Sequence, residues 1–459
     1  MNTLIIISVL PIVILYLGLY KLKKALLPVT VIGLLIALGF AFADWGKEAA
    51  PIFNGMMQFN NFSIAFSALT ILSTILILLL SKDYFERISD HVAEYYAVML
   101  FALAGIIVML SYHNLTMLFI GIEIMSVSLY ILAGIKKNDV ASNEASLKYF
   151  LMGAFSTGFL LFGITLVYGA SGSFDLSDIR AWILMNPAHL DPLFYTGVLL
   201  MIVGLCFKVG AAPFHFWTPD VYEGSPTLIT AFMSTVVKTA GFAAFLRLFS
   251  TCFNPLSAYW APTLLIITML TLFIGNITAL YQHSFKRMLA FSSISHAGYL
   301  MFAIVALSAS SANSVFVYAT AYSIASIIAF AVLILVRQQA GSDNFDSFNG
   351  LAKKNPFLAL TLTIAMLSLA GIPLTAGFIG KFFMFTGALM QYQVALVIIA
   401  VVNAIISIYY YFKVIIAMYF NAAEPSEVPV PAYFTFVLGL SALATIVIGV
   451  YPVLISGLI

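Results

Sequence analysis

Apolar residues fall into long runs broken by short polar punctuation, near 3–20, 26–43, 61–80, 95–112, 115–135, 147–169, 194–212, 227–249, 261–281, 287–308, 313–337, 356–389, 394–420 and 433–456. A helix needs about 20 such residues to cross the hydrocarbon, so the pattern predicts an all-α polytopic membrane protein with about fourteen transmembrane helices. The longest polar connections, 171–191 and 338–354, leave little chain for a soluble domain.

Composition agrees. Of 459 residues 63% are hydrophobic and 8% charged, against roughly 45–50% and 25% in soluble domains, and mean hydropathy is +1.07. Soluble enzymes, nucleic-acid binders and disordered proteins are excluded. A net charge of +2 gives no basic field for nucleic acid. Cys206 and Cys252 lie far apart in apolar stretches, which argues against a disulfide framework or a thiolate metal site. The first run lacks a basic region before it and a cleavage site after it, and reads as a span rather than a signal peptide.

Lysine and arginine favour cytoplasmic loops. Twelve (Lys21, Lys23, Lys24, Lys82, Arg87, Lys136, Lys137, Lys286, Arg287, Arg337, Lys353 and Lys354) fall in loops after spans one, three, five, nine and eleven. Only Lys47, Arg180 and Arg247 fall in the opposite loops. Both termini are therefore expected on the outer face.

Two spans look broken. The seventh ends in Gly210-Ala211-Ala212-Pro213 and runs into a polar stretch, and the twelfth is interrupted by Gly371-Ile372-Pro373. Proline removes a donor and clashes with the preceding turn, and in lipid the freed backbone survives only inside a bundle or beside a water-filled cavity. An ordinary proline kink would explain one break. Two breaks five spans apart point to inverted five-helix repeats, spans four to eight and nine to thirteen, around an ion path. The expected units are 1–90, 91–250, 251–421 and 422–459.

Few ionisable side chains remain inside the spans. Glu123 lies roughly 12 Å into the fifth, at 1.5 Å per residue; Lys208, Lys238 and Lys381 lie in the seventh, eighth and twelfth. Each costs about 2.5–3.5 kcal/mol to insert, which implies partners, water or a function. Lys148 and Lys413 lie nearer helix ends, where snorkelling is an alternative. Burial disfavours the charged form of either group, so a desolvated lysine can release its proton near neutral pH. A carboxylate moving toward or away from it would reload or discharge the site. This set suits a proton relay, with Glu123 paired to Lys208 or to Lys238. His296, within Ser292-Ser293-Ile294-Ser295-His296, is either a further relay group or a helix–helix hydrogen bonder. His215 reads as structural. His91, His113, His189 and His283 have no metal-like spacing, and no phosphate loop, dinucleotide fingerprint or nucleophile motif occurs.

The motifs carrying these residues resemble the antiporter-like subunits of proton-pumping NADH:quinone oxidoreductase (complex I). The likeness rests on Glu144-Ala145-Ser146-Leu147-Lys148, on Phe207-Lys208-Val209-Gly210-Ala211-Ala212-Pro213, and on Ala370-Gly371-Ile372-Pro373 through Gly380-Lys381. The segment Thr218-Pro219-Asp220-Val221-Tyr222-Glu223-Gly224 favours the N-type branch over its L and M sisters and over cation/proton antiporter subunits. It covers roughly residues 60–420; the first two spans and the last match by length and topology. The resemblance implies that Glu123, Lys208, Lys238 and Lys381 form a central hydrophilic axis, with lesser roles for Glu144 and Lys148. It implies no cofactor in this chain, since NADH, flavin, iron–sulfur clusters and quinone would bind other subunits. It also implies membrane partners, including subunit M and the small subunits K and J, in a bacterial inner membrane. A cation/proton antiporter subunit and a non-pumping scaffold are the alternatives.

Overall fold

The computed structural model describes residues 1–47, 51–186, 191–391, 393–422 and 428–459. Spans one to seven are Asn2–Leu19, Lys23–Ala43, Asn61–Leu79, Val92–Ser111, Leu115–Ala133, Val140–Ser171 and Pro192–Val209. Eight to eleven are Thr227–Thr251, Asn254–Leu280, Phe285–Ala306 and Ser311–Ala340; thirteen and fourteen are Val394–Phe420 and Ala432–Val450. These thirteen helices are long and apolar enough to cross a membrane. Pro356–Ala370 and Ala376–Met390 follow each other as the two halves of span twelve, so the expected fourteen spans are present.

The polar punctuation between runs works as capping. Asn60, Asn114, Asp139, Asp191, Ser284 and Asn355 each accept a backbone N–H in the first turn of the span that follows, satisfying donors that a helix start leaves free. Burial sorts the spans. Eight and ten are wholly enclosed and eleven almost so, whereas one, two, thirteen and fourteen keep most of their surface outward. Spans four and five cross where Gly105 meets Gly121; a methyl on either would lie 2.7 Å from backbone of the other helix, the close approach that small residues permit in membranes.

Both breaks have the same cap. Gly210 and Gly371 are left-handed, at φ +72° and +84°. The residue after each donates to a carbonyl five residues back: Ala211 to Cys206 at 2.9 Å and Ile372 to Leu367 at 3.0 Å. Glycine takes that φ without a Cβ clash, and the bonds satisfy the last carbonyls of each half-helix. At the first break Trp217 Nε1 donates to Phe207 O at 3.0 Å and Ala212 N to Thr271 Oγ1 at 2.9 Å, so the freed groups are met inside the bundle. Beyond Pro213 the chain re-forms as a short helix, Trp217–Gly224.

Two expectations need correction, and one polar connection proves to hold an element of its own. Lys286 is not a loop residue but lies in the first turn of span ten, fully buried, because Ser284 caps that helix earlier than the apolar run begins. Its Nζ donates to Glu223 O at 2.9 Å and Ser225 O at 2.5 Å. Arg247 is likewise buried inside span eight, its guanidinium donating to Leu110 O at 2.7 Å. The connection 171–191 contains a helix, Leu176–Met185, capped by Asp175 and packed through Leu176, Ile179 and Ile183. His189 lies outside the described residues.

Candidate functional site

Span five presents Glu123 and, one turn on, Ser126. Residues three apart share a helix face, and Lys208 Nζ, from the last turn of span seven, donates to Ser126 Oγ at 2.9 Å. Glu123 lies within electrostatic reach of Lys208. Its Oε1 is buried without a protein hydrogen bond, as is the hydroxyl of Tyr130 on the same helix. No ion pair or hydrogen bond joins Glu123 directly to Lys208 among the described residues; Ser126 holds the ammonium. Of the two lysines the sequence left open as its partner, Lys208 and not Lys238 lies within this reach of Glu123.

Lys238 follows a π-helical turn, Met233–Val237, within span eight. Such turns insert an extra residue and re-aim the side chains beyond them. Its Nζ donates to Ser293 O at 2.6 Å and also to the Ser293 hydroxyl. No hydrogen bond or ion pair joins Lys208 to Lys238 among the described residues; spans seven and eight abut one turn away, where a methyl on Gly241 would sit 3.2 Å from Val209.

Ser293, His296 and Tyr299 recur every three residues along one side of span ten. His296 Nδ1 hydrogen-bonds the Tyr318 hydroxyl at 2.7 Å, and Nε2 the Tyr411 hydroxyl at 3.0 Å. Tyr411 in turn meets Ser292 Oγ at 2.5 Å. Both Lys238 and Lys381 lie within electrostatic reach of His296. Lys381 Nζ sits 4.9 Å from the centre of the Tyr299 ring and donates to Leu369 O at 3.1 Å and Ala370 O at 2.8 Å. Those carbonyls end the first half of span twelve, where a helix is most negative. Beside His296 a cavity of about 10 Å³, bounded by Tyr318, Tyr322, Ser368 and Gly377, has room for about one water.

Other candidates lie apart from this stripe. Glu144 pairs with Lys148 at 2.7 Å, Lys148 with Asp220 at 2.9 Å, and Arg287 with Asp220 at 3.2 Å and with Glu223. These five charges line a cavity of about 260 Å³. Asp220, Glu223 and Arg287 were not singled out from sequence, although the first two stand in the Pro219–Gly224 motif. Burial alone would raise the Asp220 carboxyl, but Lys148 and Arg287 outweigh it and hold the group below the usual carboxylate range. Lys413 donates to Gln282 O at 3.3 Å and lies 4.4 Å from the Phe345 ring centre. It touches none of the axis residues. His215 Nδ1 is buried without a partner. Among the described residues no three His, Cys, Asp or Glu gather as a metal site would require.

A family model described as NADH:quinone oxidoreductase/Mrp antiporter, TM matches residues 112–407. The chain is 43% identical to NADH-quinone oxidoreductase subunit N of Cytophaga hutchinsonii over 98% of both chains. It is 41% identical to the subunit of that name in Flavobacterium psychrophilum, again over 98% of both. Among solved structures it is similar to a chain of respiratory complex I from Thermus thermophilus, with TM-score 0.84 and 33% identity over 98% of each chain. A chain of the Mrp complex from Dietzia sp. shares the fold, with TM-score 0.88 at 19% identity over 99% of this chain and 95% of that one. The chain belongs to the NADH:quinone oxidoreductase/Mrp antiporter transmembrane family.

Proposed function

We propose that this chain is a membrane-arm subunit of NADH:quinone oxidoreductase that translocates protons along Glu123, Lys208, Lys238, His296 and Lys381, driven by quinone reduction elsewhere in the complex. The observation that carries the reading is the side of span ten formed by Ser293, His296 and Tyr299. It touches Lys238 at one end and Lys381 at the other, with His296 and its two tyrosines between. Hydrogen bonds join Lys238 to Ser293 and His296 to its two tyrosines, and water in the cavity beside His296 would bridge the remaining steps. Glu123 tunes the first lysine: a carboxylate close to Lys208 favours its charged form and a withdrawn one favours release.

On this reading the π-turn before Lys238 and the half-helix end under Lys381 are positioning devices. They place one ammonium against span ten and hold the other on the carbonyls that end a half-helix rather than on a counter-charge. NADH, flavin, iron–sulfur clusters and quinone are assigned to other subunits, and subunits M, K and J are the neighbours proposed. The membrane is the bacterial inner membrane, with both termini outside. Residues 91–250 and 251–421 form the two five-span units, flanked by 1–90 and 422–459. Secondary roles are proposed for Glu144, Lys148 and Lys413, near helix ends rather than on the stripe.

The test is the ratio of protons moved to electrons transferred by the assembled complex in sealed vesicles. His296→Leu keeps bulk and removes both hydrogen bonds. The reading expects a lower ratio with the complex intact; an unchanged ratio contradicts it.

A further inference from the structure

The ends of spans three, four, five, eight and eleven meet around a cavity of about 660 Å³. This is within the roughly 300–1,000 Å³ of ordinary ligand sites. Its lining carries four fixed cations, Arg87, Lys136, Lys137 and Arg337, against one carboxylate, Asp139. That carboxylate is already used, accepting Ala141 N at 3.0 Å as the cap of span six. Arg337 is shared with Asp343 at 2.9 Å. Arg87, Lys136 and Lys137 form no ion pair among the described residues. Lys136, in the connection between spans five and six, is half-buried; burial and the nearby Arg337 guanidinium lower its ammonium below the usual range and outweigh the opposing carboxylates of Asp139 and Asp343. Gathering like charges in a recess is unfavourable unless an anion offsets them.

The rest of the wall is mixed: Ser89, His91, Asn138, Thr227 and Gln338 are polar, and Tyr84, Ile88, Tyr95, Ile135 and Ile334 give an apolar and aromatic surface. A small inorganic anion would use the cations and leave that surface wet. A molecule with a phosphate at one end and hydrocarbon at the other satisfies both. The location fits as well, because helix ends mark the headgroup level, where basic recesses between helices hold acidic lipid headgroups. We propose that this cavity is a binding site for an anionic phospholipid. Its phosphate is held by Arg87, Lys136 and Lys137, and its glycerol and upper acyl chain lie along Tyr84, Ile88 and Ile135. The proposal is independent of the proton axis, since none of these residues touches it.

The experiment uses the complex purified from membranes. Lipids that survive detergent washing are counted by class in the wild type and in the Arg87→Gln, Lys136→Gln, Lys137→Gln triple variant. The expected result is at least one fewer anionic phospholipid per complex in the variant, with zwitterionic lipid unchanged. Equal retention of anionic lipid overturns the proposal. Should the variant fail to assemble, a photoreactive phosphatidylglycerol added to wild-type complex decides the matter. Labelling of residues 134–139 that survives excess inorganic phosphate supports the lipid site. No labelling there, or labelling abolished by inorganic phosphate, overturns it, the latter marking a free-anion site.

Discussion

Lys381 is bonded to the end of the half-helix that precedes it in sequence. Its ammonium donates to Ala370 O at 2.8 Å across the break in span twelve, while Gly371, between them, has no Cβ to obstruct it. A Cβ built on Gly371 would stand 2.7 Å from Lys381 Cδ. The glycine therefore serves the turn and the lysine together.

Gly371→Ala is accordingly expected to act twice. The left-handed φ of +84° costs a non-glycine residue about 1–2 kcal/mol, and the new methyl displaces Lys381. Proton transfer should fall while electron transfer by the assembled complex changes less. Gly46 is a control with a similar φ of +72° but open space around it; Gly46→Ala should carry only the backbone penalty and leave the proton-to-electron ratio unchanged.

Ser126 separates holding from tuning at the other end of the axis. Ser126→Ala removes the only hydrogen bond that Lys208 makes to a side chain among the described residues, an interaction of about 1 kcal/mol. Glu123 and its charge stay. A small change in the pH profile of proton transfer is expected from Ser126→Ala and a large loss of transfer from Lys208→Ala. Equal losses from both would contradict the account, since the bond to Ser126 and not the charge of Lys208 would then carry the effect.

The charges of this site were legible because ionisable residues in apolar runs are costly, so Glu123, Lys208, Lys238 and Lys381 stood out by position alone. The breaks were legible because glycine and proline interrupt helices for stereochemical reasons. Partners were not. Nothing in the sequence said that Lys238 would meet Ser293, or that Lys286 and Arg247, at the edges of apolar runs, would turn inward. Those two are buried because carbonyls at Glu223, Ser225 and Leu110 need donors, a tertiary fact. The helix Leu176–Met185 did carry its signal, an aspartate cap followed by apolar residues at helical spacing, but it is short and polar between.

Acid should loosen the outlying ion cluster in a defined window. Asp220 has a depressed pKa in the folded chain. The stability it adds is full above its unfolded pKa, about 3.9, and is lost as pH falls through the folded value. Asp220→Asn should therefore lower the melting temperature of the complex by the same amount at any pH above about 5, and by less below about 4. A difference that widens on acidification would contradict the pairing with Lys148 and Arg287.

The central claim is that a charge on Glu123 governs proton movement through buried lysines. Glu123→Ala in the assembled complex, reconstituted in sealed vesicles, tests it through the number of protons translocated per electron passed to quinone. The account predicts that this ratio drops while subunit content stays at the wild-type level. A ratio equal to the wild type in a fully assembled variant would contradict it.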